Sequence, residues 1–336
     1  SSCAFHDRAA VTGPAVSSKS APMDTSHGAA SAHSSTDLSV KRAGVAEIAR
    51  QPLVLSLPAR QAGPLVLASP HSGRTYPQEF IAQASLPEAV LRQSEDCFVD
   101  RLVAGAPDLG VPLIAAQFPR VYVDPNREPA ELDQEMFATR LAAPVNGVSP
   151  RVLAGLGVIP RLAANEQEIY RRKLDVAEAE QRLGLFYRPY HRALTELIQQ
   201  TRRQFGLCVL LDCHSMPSAG AWMDGPHSRQ RIDVDYVLGD CFGAACAERM
   251  TAAAEACLGE SGAKVRRNNP YSGGYVAQAY GKPAQGVHVL QLEINRALYM
   301  DEATLEPGAG FAAIQDLMAT LIQRLSDAAR QLAKAA

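Results

Sequence analysis

No apolar run in this 336-residue chain approaches the roughly 20 residues that a membrane-spanning helix needs, so a spanning protein is not expected. An excess of charge of one sign is missing as well. Lys and Arg number 33 against 35 Asp and Glu, and a net charge of −2 gives no broad attraction for nucleic acid or an anionic membrane surface. The seven cysteines (Cys3, Cys97, Cys208, Cys213, Cys241, Cys246 and Cys257) are odd in number and form no CxxC pair. That pattern excludes a disulfide framework and suits reduced thiols. With no secretory apolar segment, a cytoplasmic location is expected. No internal repeat is visible. What remains is a chain with 47% apolar and 20% charged residues, the balance of a globular protein with a substantial core.

Residues 1–45 are rich in Ser, Ala, Gly and Pro without hydrophobic periodicity and read as a disordered extension. His6, His27 and His33 fall there and are set aside. From about Pro52 strands and helices alternate, and residues 46–336 read as one domain. Pro64–Ser69, Leu207–Leu211, Val234–Leu238 and Val287–Ile294 are strand-like, with short β-type runs at Pro112–Ala116 and Val121–Val123. Helical spacing runs through Pro87–Ala106, through Asn165–Phe205, around Cys241–Leu258 and through Gly308–Ala335. Gly184 and Pro189 divide the second of these into two helices, because an interior proline removes a donor and clashes with the preceding turn. The alternation predicts an α/β fold: three α/β/α layers around a mixed, mainly parallel central sheet.

Two buried-type strands end in histidine, at His71 and His214, where open α/β sheets place their ligands. Two imidazoles on neighbouring strands begin a metal site, and a third ligand completes a catalytic one. Glu95, Asp96 and Asp100 supply acids within a turn and a half of the predicted helix, with Asp96 and Asp100 on one face. Read blandly they form a solvated face, but Cys97, Phe98 and Val99 make the stretch look buried, and buried carboxylates need a metal or a cation. Asp212 shares a strand face with His214 and would orient it, whereas Cys213 points to the other face. Arg120, Tyr122 and Asp124 share one face of a predicted strand. Arg120 and Arg127 either read a substrate carboxylate or pair with Asp124 and Glu128. Glu293, between Leu292 and Ile294, is costly to bury without a task or a partner such as Arg296 or Arg120. Beside an activated water it would serve as general base. Tyr170, Tyr275 and Arg296 are further residues that could line a pocket.

Taken together, five ordered motifs make the chain resemble the N-formylglutamate amidohydrolases: SPHSGRxYP at Ser69–Pro77, EDxxVDxL at Glu95–Leu102, RxYVDPNR at Arg120–Arg127, LLDCHSMP at Leu210–Pro217 and LQLEINRxLYM at Leu290–Met300. The resemblance spans roughly residues 60 to 305. It implies a fold akin to the zinc carboxypeptidases and phosphorylase/hydrolase-like proteins, and metal-dependent hydrolysis of N-formyl-L-glutamate to formate and glutamate in histidine degradation. It implies one Zn2+ on His71, His214 and either Glu95 or Asp96, of which Asp96 is taken. Glu293 would be the general base and Arg120 the oxyanion stabiliser, with Asn126, Arg127 and Ser72 gripping the substrate. Two departures stand out. Arg74 occupies the position where zinc carboxypeptidases carry their acidic ligand, and Phe98 stands where the family often has histidine. The rival readings are a related zinc amidohydrolase acting on another N-acyl amino acid or peptide-like amide, and a non-catalytic binder of acidic metabolites.

Overall fold

The computed structural model describes residues 39–142, 144–164, 166–218 and 233–335; His6, His27 and His33 lie outside them. In chain order the elements are β1 (Lys41–Ala43), α1 (Val45–Ile48), β2 (Leu53–Ser56), β3 (Leu65–Ser69), β4 (Thr75–Pro77), α2 (Gln78–Gln83), α3 (Glu88–Arg92), α4 (Val99–Leu102), β5 (Leu113–Ala116) and α5 (Pro150–Leu153). They continue as α6 (Val176–Arg182), α7 (Arg188–Phe205), β6 (Cys208–Met216), β7 (Tyr236–Gly239), α8 (Glu248–Gly259), β8 (Val265–Arg267), α9 (Tyr275–Tyr280), β9 (Val287–Asn295) and α10 (Phe311–Ala335). Strand β1 pairs with β4, so the last residues of the segment assigned to the extension carry defined structure.

Seven strands form the central sheet in the order β2-β5-β3-β6-β9-β7-β8. The pairs β5–β3, β3–β6, β6–β9 and β7–β8 are parallel, while β2–β5 and β9–β7 are antiparallel. The five inner strands are buried on both faces because alternate side chains feed two separate cores. Val66, Ala68, Cys208, Leu210 and Val289 pack with Tyr190, Leu194, Leu197 and Ile198 of α7. Leu65, Leu67, Leu211, Cys213, Leu290 and Leu292 pack with Met250 and Leu258 of α8 and with Leu321, Ile322 and Leu325 of α10. Each such aliphatic side chain contributes about 1.5–3 kcal/mol by leaving water. Helices on both faces of a mixed, mainly parallel sheet give the three layers expected from the alternation. Among the described residues no helix is long and apolar enough to cross a membrane.

Three local expectations are corrected. Pro87–Ala106 is not one helix: α3 ends at Arg92, and Phe98, with φ of 64°, turns the chain left-handed before α4 begins. Buried acids at Glu95 and Asp96 must reach different partners, and a continuous helix would carry Asp96 onto the same face as Asp100. Val121–Val123 is a turn, not a strand. Its Tyr122 packs on Phe80 and Phe186 and under the Arg182 guanidinium, away from Arg120 and Asp124. Finally, α6 and α7 are joined without a break through a π-helical turn at Leu183–Tyr187. The wider turn, with its i→i+5 bonding, absorbs the donor that Pro189 lacks; residues 166–175 are not helical.

Candidate metal centre and its cavity

Parallel pairing of β3 with β6 sets their C-terminal ends side by side, so the chain leaves the sheet at His71 next to His214. After His71 the backbone must turn under the 117–118 segment. Gly73 is what lets it pass, since a Cβ there would lie 2.1 Å from the Phe118 carbonyl oxygen. The turn between α3 and α4 folds back on this end of β3, and the Asp96 N–H donates to the His71 carbonyl. Asp96 thereby reaches both rings. His71 Nδ1 and His214 Nδ1 lie 3.0 Å apart, and Asp96 Oδ2 is 3.0 Å from His214 Nδ1 and 3.3 Å from His71 Nδ1. All three residues are buried.

The opposite edges of the two rings decide what this triangle is. His71 Nε2 is 2.6 Å from Asp124 Oδ1, and His214 Nε2 is 2.9 Å from Asp212 Oδ2. Carboxylates only accept, so each ring carries its proton on Nε2. Asn126 Nδ2 also approaches His214 Nε2, at 3.2 Å. Neither carboxylate oxygen of the fully buried Asp212 has a well-aligned hydrogen bond among the described residues, so its 2.9 Å ion-pair contact with His214 Nε2 is what can offset its burial, and a buried carboxylate outweighs an amide in fixing the tautomer. Two Nδ1 lone pairs and a carboxylate oxygen then converge on one another. Such convergence is repulsive unless a cation or a proton sits between them, and donors of a tetrahedral shell with bonds of about 2.0–2.1 Å stand about 3.3 Å apart. The donor set and its spacing fit a divalent metal, and these three residues are the group among the described residues that could hold one.

The remaining partners neutralise the cluster. Asp96 Oδ1 accepts from Arg296 Nη2 at 3.2 Å, and Arg296 also donates to Ser215 Oγ and the Gln93 carbonyl. With a proton rather than a metal between these donors, the hydrogen bonds from His214 and His71 and nearby positive charge hold the Asp96 carboxyl well below the usual range, against its burial. Asp124 Oδ2 accepts from Arg120 Nη2 at 2.7 Å, and against its burial this guanidinium holds Asp124 down as well. Glu293, opposite His214 in the β6–β9 register, accepts from Gln291 Nε2 at 2.8 Å. Its burial pushes the carboxyl up to about 7, and His214 pulls the other way when a second proton on Nδ1 makes it positive.

A cavity of about 480 Å³ opens onto this cluster, lined among others by Arg120, Asn126, Arg127, Tyr271 and Glu293. Asn126 is fixed by the Val276 N–H donating to its Oδ1, and Gly274 is required beside it because a Cβ would lie 2.4 Å from Nδ2. Arg127 donates through Nε to the Leu156 carbonyl and through Nη1 to its own neighbour's carbonyl at Asn126, leaving Nη2 3.9 Å from Asp124.

Of the residues singled out in the sequence, His71, Asp96, His214, Glu293, Arg120, Asn126 and Arg127 therefore meet at one cavity. Arg296 lines it too, whereas other candidates, Tyr275 among them, do not. Glu95 turns away and accepts from the Tyr76 hydroxyl at 2.6 Å and from Cys97. Ser72 does not line the cavity; its hydroxyl lies 2.7 Å from that of Ser69, buried in the turn. Tyr170 instead accepts from Arg182. Sequence reasoning gave Asp124 to the arginines and missed its contact with His71. The pairing of each imidazole with its own acid was legible only for Asp212, two residues before His214 on one strand.

A family model described as N-formylglutamate amidohydrolase matches residues 63–300. An N-formylglutamate deformylase of Pseudomonas aeruginosa is 30% identical over 243 residues, covering 71% of this chain and 83% of that protein. One from Pseudomonas putida is 28% identical over 245 residues, covering 71% and 82%. The crystal structure of N-formylglutamate amidohydrolase from Ralstonia eutropha JMP134 aligns with a TM-score of 0.78 at 38% identity, covering 83% of this chain and 99% of that one.

Proposed function

The chain belongs to the N-formylglutamate amidohydrolase family, and from that premise we propose that it hydrolyses the formamide of N-formyl-L-glutamate to formate and L-glutamate with one zinc ion held by His71, Asp96 and His214. The observation that carries the reading is the convergence of two Nδ1 atoms and Asp96 Oδ2 within 3.3 Å of one another, with both Nε2 atoms turned to carboxylates. A zinc ion there would supply Lewis acidity, polarising the formyl carbonyl and acidifying a water.

The chain's own residues do the rest. Glu293, buried and poised near neutrality, takes the proton of the attacking water and passes it to the departing nitrogen. Arg120 faces the same cavity with its guanidinium fixed by Asp124, so it meets negative charge developing on the formyl oxygen without reorganising. Asn126 and Arg127 hold a substrate carboxylate; both are already pinned by backbone partners, which cuts the entropy lost on binding. Asp124 and Asp212 orient the imidazoles. The direct test is formate release from N-formyl-L-glutamate by metal-replete protein, with N-acetyl-L-glutamate and N-formyl-L-aspartate alongside. Faster turnover of either alternative would move the reading to another N-acyl amino acid.

A further inference from the structure

The charges around the cavity do not cancel evenly. Four arginines line it (Arg120, Arg127, Arg151 and Arg296) against three acids, Asp96, Asp124 and Glu293. Arg296 is spent on Asp96 and Arg120 on Asp124. Arg127 lies only at 3.9 Å from the already engaged Asp124, and Arg151 makes no ion pair and no side-chain hydrogen bond among the described residues. The surplus positive charge is therefore gathered at Arg127 and Arg151, while the acids cluster around the histidines.

Arg151 is built into place. Ser149 caps α5, its hydroxyl accepting from the Val152 N–H, and Val152 is buried. The turn that follows is tied to the Asp124–Arg127 segment: the Leu156 N–H donates to the Arg151 carbonyl, and the Leu156 carbonyl accepts from Arg127 Nε. Val158 completes the tie, donating to the Glu131 carbonyl and accepting from the Asp124 N–H. Gly157 presses so closely on this segment that a Cβ would lie 2.4 Å from the Glu131 oxygen. One short ladder thus carries both arginines. Burial draws the Arg127 guanidinium down to about 10, and the charge of Arg151 adds to that against the pull of Asp124. An anion between the two would relieve it.

We propose that Arg151 is the specificity residue for the acidic side chain of the substrate, pairing with its distal carboxylate while Asn126 and Arg127 hold the α-carboxylate. This rests on the amidohydrolase reading above and deepens it. A dianionic N-acyl amino acid needs two cationic contacts beyond the reacting centre, and Arg151 is the cavity arginine left without an internal acid. An exposed guanidinium is also suited to the role, because it discriminates against a neutral side chain without requiring a buried charge in the free protein.

The experiment compares N-formyl-L-glutamate with N-formyl-L-glutamine, which has the same shape and lacks the distal charge, in wild-type and Arg151→Gln protein. Loss of one charge-assisted contact lowers the preference for the acid, the ratio of the two kcat/KM values, by about 10- to 100-fold. Inhibition by the product L-glutamate weakens in parallel while that by L-glutamine does not. A ratio unchanged by Arg151→Gln, or an equal loss on both substrates, overturns the assignment and leaves the amidohydrolase reading intact. Metal-replete wild-type protein that cleaves neither compound removes that reading, and this one with it. Arg127→Gln is the control, since it slows both substrates alike.

Discussion

Replacing Glu293 by glutamine separates what this carboxylate does for catalysis from what it costs the fold. The change keeps shape and an oxygen for the Gln291 hydrogen bond of 2.8 Å, but removes the group that can take a proton. Loss of a general base slows turnover by about 10²- to 10⁴-fold. The stability effect has the opposite sign. Burial lifts the folded-state value from 4.5 to about 7, so the folded protein binds more protons than the unfolded chain in that interval. Stability is therefore full below about 4.5, declines as pH rises towards 7, and stays reduced above it by something on the order of 3 kcal/mol. Glu293→Gln removes that penalty. In metal-stripped protein the variant is more stable than wild type at pH 8, and the gain shrinks towards zero near pH 5. Urea midpoints at the two pH values measure this, with formate release and metal content followed in parallel on the loaded protein. A variant that keeps its metal and full activity refutes the base assignment. A variant destabilised equally at both pH values refutes the argument from burial.

Other consequences follow from the same contacts. Asp212→Asn leaves His214 without its acid and lowers metal affinity by about 10- to 100-fold, read by competition with a chromophoric chelator; unchanged affinity would mean that the 2.9 Å contact orients nothing. Metal binding weakens as pH falls, because the nearby Asp212 and Asp96 overcome burial and hold His214 well above its ordinary value, so protons compete for Nδ1. Chelator titrations at stepped pH should show affinity rising with pH, and a flat profile would contradict this. Arg182→Met costs about 3 kcal/mol or more in denaturant unfolding, since the fully buried guanidinium pairs with Glu178, bonds the Tyr122 carbonyl at 3.1 Å and lies over the Tyr122 ring. The metal content of that variant, in contrast, stays at wild-type level.

The strands bearing His71, His214 and Glu293 were readable because each is a short apolar run buried on both faces, and a polar residue in such a run stands out against its neighbours. What periodicity could not convey was where tertiary demands override it. The stretch around Asp96 has helical spacing, yet the left-handed Phe98 breaks it so that Asp96 can face the histidines while Asp100 pairs with Arg74. Alternation at Arg120–Asp124 mimics a strand, but Tyr122 gains more by packing on Phe80, Phe186 and Arg182. Gly184 and Pro189 look like breakers, and a π-helical turn carries the chain through them. Ser72 and Glu95 sit within ordered motifs and still turn inward, the one to Ser69 and the other to Tyr76. Sequence adjacency to a site residue therefore did not decide which way a side chain points. Arg151 carried no motif at all, and only the missing partner beside Arg127 reveals it.

In the proposed function, a metal on His71, Asp96 and His214 is what makes this cavity hydrolyse an N-formyl amino acid. That is tested most directly by measuring formate release from N-formyl-L-glutamate against metal content in the same samples, from fully stripped to fully loaded protein. Release should be proportional to bound metal up to one ion per chain, abolished by chelation and restored by zinc. Full release from metal-free protein, or loaded protein whose metal survives the loss of both histidines, would contradict it.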